Sequence, residues 1–326
     1  MKTILAAADF SAGADVAARQ AAELARVLGA KLVLLHVAGE RMHRPAPAPA
    51  VTAAIASMRD LAREHRRASG LQAEHHLAFG SRRGTVVEFA ARTKADLIVL
   101  GSLRRGPVAD LAAGAWTKRL LRRAMWPVLV PRRAEAGPYR RVLAAIDTSP
   151  EAVEVLRAAD ALAGGRPLDL LHVHTDPLWV TRAFAGTTSA ELRLQDAIAQ
   201  ARCRAHLAAI VRRARPRCGM PNVVGTTGEP HLRILEVAEQ LGADLVALGT
   251  TTHRMGAIAR FMMGSTAERV ITRAGCDVVA VPLPLRAELD EQEPVVRSFP
   301  ASLAGARAFA AADGAGRRAT EVPHAL

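Results

Sequence analysis

The residues best suited to chemistry in this chain come in duplicate. Asp9 is followed by Ser11, and Asp147 by Ser149, each pair standing just past a short apolar run. A carboxylate in that place either caps the helix that follows or faces a ligand beyond the end of a strand, and both readings stand at this point. Segments that open at Gly101 and Gly249 close at Gly114 and Gly264, each ahead of a helical pattern. Backbone amides at a helix start, together with the helix dipole, seat a phosphate. Val37 and Val173 end another apolar run in each half, where backbone groups can meet a base.

Other constellations are weaker. His36 and His172 occupy equivalent places, which points to a shared structural role. His172, His174 and Asp176 offer metal-ligand types, although a solvated strand end accounts for them as well. Glu74, His75 and His76 alternate faces on an expected edge strand and cannot converge on one ion without help. The chain has no GxSxG, HExxH or complete GxxxxGK[ST] motif. Nothing assembles a nucleophile, a base and an oxyanion hole, so the expectation is a protein that is not an enzyme, with no catalytic residues and no metal.

The elements that must position these residues also come twice. Residues 95–102 (ADLIVLGS) recur as 243–250 (ADLVALGT), 3–11 (TILAAADFS) as 141–149 (RVLAAIDTS), and 32–37 (LVLLHV) as 168–173 (LDLLHV). Further along, 104–114 (RRGPVADLAAG) matches 254–264 (RMGAIARFMMG), and 128–131 (VLVP) matches 279–282 (VAVP). Matched phrases in one order mean a tandem duplication of a unit of about 140 residues, an ordinary domain size.

Apolar runs without polar alternation suit strands buried on both faces of a parallel sheet. They predict strands at 3–8, 31–37, 72–79, 97–100 and 128–130, then near 141–146, 168–173, 222–226, 245–248 and 278–281. Helical patterns lie between them at 12–28, 51–68, 83–94 and 113–124, then near 150–163, 188–214, 230–241 and 264–274. Strict alternation predicts two doubly wound α/β domains with five-stranded parallel sheets, at 1–132 and 139–283. Residues 133–138 read as a linker, and 284–326 as a low-complexity, mostly disordered tail with a short helical stretch near 302–312. Gly29 and Gly242 stand where a left-handed helix end favours glycine.

Composition sets further bounds. The 326 residues are 50% hydrophobic and carry a formal net charge of +13. Arginines cluster at 118–123 and 202–217. Such surfaces attract anionic partners, but with aromatics at 3% the stacking platforms of single-strand binders are missing. Specific nucleic-acid recognition is not expected. No apolar run approaches the ~20 residues of a membrane span, and the first residues read as a strand and not as a secretory signal, since their phrase recurs internally. Cys203, Cys218 and Cys276 form no CxxC pair, which fits a reducing cytoplasm.

Taken together, span 1–283 resembles two universal stress protein domains in tandem. The residues that carry the resemblance are Asp9, LLHV at 34–37, Gly80, 95–102 and PVLVP at 127–131. In the second copy they are Asp147, LLHV at 170–173, Gly228-Glu229-Pro230, 243–250, GSTAERVI at 264–271 and VVAVP at 278–282. The resemblance implies a five-stranded parallel α/β fold, and a family divided between members that bind ATP and members that do not. The binding members carry a loop of Gly, two residues, Gly, nine residues, Gly, then Ser or Thr.

Measured against that loop, Gly101 and Gly114 keep the outer spacing, but Arg104 replaces the middle glycine and Ala115 the hydroxyl residue. Gly249 and Gly264 stand two residues farther apart, Arg254 takes the middle place with Gly256 after it, and the closing Gly264-Ser265-Thr266 is intact. An arginine there either blocks close backbone approach or pairs with a phosphate itself. The resemblance therefore implies an ATP or related nucleotide site in the second copy, at Asp147, Val173, Gly249, Arg254, Gly256, Gly264, Ser265 and Thr266. Asp9, Val37, Gly101 and Gly114 mark a degenerate counterpart in the first.

The implied role is nucleotide-responsive stress adaptation through a protein partner. The alternatives are an adaptor without nucleotide that acts through its basic surfaces, and a weak ATP hydrolase at Asp147 and Ser265. The family pattern also implies that the last strands pair, here within one chain, and that two chains can associate as a homodimer. Charged substitutions at Val128 and Val279 are then expected to separate the domains and enlarge the small-angle scattering profile. An unchanged profile would count against the pairing.

Overall fold

The computed structural model describes residues 1–8, 12–38, 56, 63, 70, 73–79, 82–101, 120–121, 124–133, 135–174, 189–250 and 265–283. These residues form two compact units, one up to Pro138 and one from Tyr139 onward.

The first unit contains β1 (Thr3–Ala8), α1 (Ala12–Leu28), β2 (Lys31–Ala38), β3 (Ala73–Phe79), α2 (Arg82–Arg92), β4 (Leu97–Leu100) and β5 (Val128–Val130). Its strands lie in the order β3-β2-β1-β4-β5, and all pairings are parallel. The second contains β6 (Val142–Ala145), α3 (Ala152–Ala163), β7 (Leu168–His174), α4 (Ser189–Ala214), β8 (Asn222–Thr227), α5 (Pro230–Leu241), β9 (Leu245–Thr250), α6 (Ser265–Arg273) and β10 (Asp277–Pro282). Its order, β8-β7-β6-β9-β10, repeats the first, again all parallel. The duplication legible in the sequence is thus a duplication of topology.

The central strands behave as their apolar runs predict. Ile4, Leu5, Leu97–Leu100, Val142–Ala144 and Leu245–Ala247 have at most a trace of exposure, because helices cover both sheet faces. The edge strands do not. Most of β3 is only half-buried, and β8 alternates between exposed and half-buried. Each has a neighbour on one side only, so its Glu, Asn and Thr side chains keep contact with water. Glu74 on β3 pairs with Lys31 across the strands at 2.7 Å. That ammonium holds the Glu74 carboxyl below the usual carboxylate range.

On α1 the buried stripe of Ala17, Ala18, Ala21, Ala22, Leu24 and Ala25 is mostly alanine, which allows close approach to the sheet. Gly29 and Gly242 adopt φ of +61° after their helices, as expected. The helices predicted at 51–68 and 113–124 lie outside the described residues except at 56, 63, 120, 121 and 124; of these 124 is not helical. The predicted tail lies wholly outside them.

The aspartate of the doubled ADL phrase has a structural duty in both units. Asp96 Oδ2 accepts the backbone N–H groups of Lys2 and Thr3, the second at 3.0 Å. Asp244 accepts those of Arg140 and Arg141 at 2.7 and 3.1 Å. The backbones reciprocate: Asp96 N–H donates to Thr3 O at 2.8 Å, and Asp244 N–H to Arg141 O at 3.0 Å. Each aspartate therefore pins the N-terminal end of the central strand to the start of its parallel neighbour. In the second unit Tyr139 adds a fully buried anchor, its hydroxyl donating to Asp277 Oδ2 at 2.9 Å.

Candidate functional site

In an open parallel sheet the chain leaves a crevice at the carboxyl ends of the strands where the strand order reverses. In the second unit that point lies between β6 and β9. Ala145 on β6 is level with Leu171 on β7 and with Leu248 on β9. Two residues onward from that rung stand Asp147, Val173 and Thr250, with Gly249 just before the last. The fold thus brings four of the expected elements to one edge: Asp147, Val173, Gly249 and the start of α6 at Ser265-Thr266. Ser265 is exposed and Thr266 half-buried. Arg254, Gly256 and Gly264 lie outside the described residues. In the first unit Val37 is buried at the end of β2 and Gly101 follows β4, whereas Asp9 and Gly114 lie outside.

Asp147 is exposed. Its Oδ1 accepts the backbone N–H of Ser149 at 3.0 Å and also the Ser149 hydroxyl, which is an Asx turn. The N-cap of α3 is Glu151, and no side chain bonds there. Of the two readings open for the Asp-x-Ser pair, direct capping of the next helix is therefore set aside. His172 contributes from the neighbouring strand. Its Nδ1–H donates to Ile146 O at 3.0 Å and fixes the backbone immediately before Asp147. This is a structural role for half-buried His172, which the sequence singled out together with the buried His36. Among the described residues no cluster of His, Cys, Asp and Glu has the arrangement to hold a metal ion.

Gly249 is glycine for a reason the sequence did not suggest. A Cβ there would lie 2.6 Å from Leu283 Cδ1 and 3.4 Å from Val155 Cγ2. The first glycine of the loop thus makes room for a leucine past the end of β10. Overpacking of this kind costs about 1–3 kcal/mol. Gly249→Ala is expected to lower the melting midpoint, and Leu283→Ala in the same chain to restore part of it; additive effects of the two substitutions in thermal melts would show that they do not touch.

The resemblance named Gly228 without giving it a role, and His231 escaped the sequence reading. Gly228 has φ +134°, and its N–H donates to His174 O at 3.2 Å. This turn lets α5 begin at Pro230, where a missing N–H costs nothing. His231, in the first turn of α5, is 6% exposed. Its Nδ1 lies 3.4 Å from Arg269 Nη1. A guanidinium only donates, so Nδ1 accepts in this contact, which ties the first turn of α5 to α6. Only the position of His231 just after the Gly228 turn hinted at this. Burial pushes the Cys203 and Cys218 thiols up, which makes them poor nucleophiles; Cys276 is half-buried.

A family model described as the universal stress protein family matches residues 1–132 and again 138–282. The chain belongs to that family. Among similar proteins, universal stress protein A homolog 1 of Coxiella burnetii is 29% identical over 147 residues, covering 44% of this chain and 96% of its own length. Universal stress protein MJ0531 of Methanocaldococcus jannaschii is 44% identical over 57 residues, 18% of this chain and 32% of its own. Among solved structures, a universal stress protein from Archaeoglobus fulgidus DSM 4304 has a TM-score of 0.58 at 20% identity, over 86% of this chain and 98% of that one. A functionally unknown protein from Pseudomonas aeruginosa PAO1 reaches 0.61 at 20% identity, over 87% of this chain and 93% of its own. These likenesses span both units, so the chain is a tandem universal stress protein with two α/β domains. Among the described residues no helix is long and apolar enough to cross a membrane.

Proposed function

We propose that this universal stress protein is a cytoplasmic nucleotide-responsive adaptor. In this reading it binds ATP or a related nucleotide in the second domain, acts through a protein partner, and does not catalyse a reaction in that role. The observation that carries the reading is that Asp147, Val173 and Thr250 each stand two residues past the rung shared by Ala145, Leu171 and Leu248 at the strand-order reversal, in a unit whose α6 starts with Ser265-Thr266. The N-terminus of α6 would take the phosphates. Asp147, a carboxylate, would repel phosphate and so would accept the ribose hydroxyls. The backbone at Val173 would meet the base. Gly264 would close the phosphate seat, with Arg254 and Gly256 reaching it from the preceding segment. The same role in the first domain would fall to Asp9, Val37, Gly101 and Gly114, where Ala115 removes the hydroxyl; that domain is proposed to stay empty.

Native mass spectrometry of freshly purified chain tests this. One bound nucleotide per chain is expected. None after soaking with ATP would overturn the reading, and two would overturn the assignment of the first domain as degenerate. Prolonged incubation with ATP and magnesium is expected to leave the nucleotide intact; its hydrolysis would favour an enzyme.

A further inference from the structure

From Ala197 to Gly228 the chain contains no Asp or Glu. In that window stand Arg202, Arg204, Arg212, Arg213, Arg215 and Arg217, and all six are exposed. Helix α4 turns Leu207, Ile210 and Val211 inward. Its opposite face alternates charge with small residues: Ala201, Ala205 and Ala209 are exposed beside Arg202, His206 and Arg213. Among the described residues none of the six guanidiniums enters an ion pair. Cations near a helix C-terminus interact favourably with its dipole, which accounts for Arg212 and Arg213. The dipole fades within a turn and leaves Arg202, Arg204, Arg215 and Arg217 unexplained.

A second observation concerns apolar groups. Large hydrophobic residues are exposed at both ends of this basic stretch: Ile198 at 45%, Met220 at 75% and Val223 at 44%. Val223 lies on edge strand β8, where exposure is expected, but a solvated surface gives no reason for Ile198 on α4 or for Met220 in the turn. A nucleic-acid backbone would satisfy the arginines but offers nothing to Met220 and Ile198. The window also lacks any Phe, Trp or Tyr on which bases could stack. An anionic bilayer accepts both kinds of group, with guanidiniums among the phosphates and apolar tips in the acyl boundary.

We propose that the α4 face and the turn after it, from Ile198 to Val223, form a docking surface for an anionic phospholipid bilayer. This holds the protein at a membrane surface without a span, and it is independent of the nucleotide reading. Apart from the dipole interaction of Arg212 and Arg213, these arginine side chains make no ion pair among the described residues, so their replacement leaves the unit folded.

Co-sedimentation of the full chain with phosphatidylcholine–phosphatidylglycerol vesicles tests the inference, with circular dichroism to verify folding of each variant. The chain is expected to sediment with these vesicles, to ignore pure phosphatidylcholine, and to be released as salt rises. R202Q/R204Q/R212Q/R213Q is expected to lose at least about tenfold in partitioning, since each arginine near such a surface counts severalfold. Met220→Ser is expected to lose about threefold or more. No sedimentation, or sedimentation unchanged by the four substitutions, overturns the proposal. Unchanged binding by Met220→Ser overturns it as well; tighter binding to an RNA homopolymer would then assign the arginines to nucleic acid.

Discussion

Replacing Asp244 by alanine should lower the unfolding free energy of the second unit by about 3 kcal/mol, and Asp96→Ala should do the same in the first. Each carboxylate accepts two backbone N–H groups at the start of a central strand. A hydrogen bond to a charged acceptor contributes about 1.5–3 kcal/mol, and partial exposure here selects the lower end of that range. Two such bonds give the total. The ion pair of Arg19 with Asp15 is short, at 2.8 Å, but lies on the surface. It contributes at most about 1 kcal/mol, so Asp15→Ala is the control. Asparagine at 244 keeps one oxygen acceptor and should recover about half the loss. In urea the deficit should appear as a midpoint shift of about 1 M with the slope preserved. If Asp96→Ala and Asp244→Ala unfold within ~0.5 kcal/mol of the parent, the aspartates are only a repeated surface phrase.

That pair of aspartates also shows what the sequence made legible. The phrase around them was visible as a repeat, and the repeat predicted the topology correctly, because short Val-, Ile- and Leu-rich runs alternating with helical periods leave a doubly wound sheet as the economical arrangement. What the carboxylates bond was not visible. Asp244 and Arg140 lie 104 residues apart, and only the register of parallel neighbours brings them together. The edge strands were legible only in part. Glu74, His75 and His76 mark 73–79 as an edge strand, whereas 222–227 carries no such charged signal, and its place at the edge comes from the strand order alone.

The site divides in the same way. Asp147 and the Ser265 helix start were legible, because a strand end and a helix start each have a local signature. Gly249 was legible as a conspicuous glycine but for another reason: its tight neighbour is Leu283, which comes from the far end of the domain. His172 and His231 act through contacts between elements, Ile146 O for one and Arg269 for the other. Neither contact has a sequence signal beyond position. The loop reading that placed Arg254, Gly256 and Gly264 stays a proposal about the ligand, since it rests on the family pattern.

The largest functional effect should come from Asp147. Under the proposed reading, Asp147→Ala removes a charged acceptor from the ribose hydroxyls, a change of about 1.5–3 kcal/mol, or roughly 10- to 100-fold in affinity. Asp147→Asn keeps an oxygen for the same hydroxyls and should lose less than tenfold. Ser265→Ala should also lose less than tenfold: it deletes one hydroxyl while the backbone amides and dipole of α6 remain. The order of effects separates this reading from a merely structural one. Asp147 also closes the Asx turn with Ser149, so a stability defect alone would accompany a structural role. Ser149→Ala removes the hydroxyl bond of that turn without touching the ligand. If titration calorimetry with ATP shows Ser149→Ala as damaging as Asp147→Ala, the carboxylate serves the turn. If Ser149→Ala binds within about twofold of the parent while Asp147→Ala loses tenfold or more, the carboxylate serves the nucleotide.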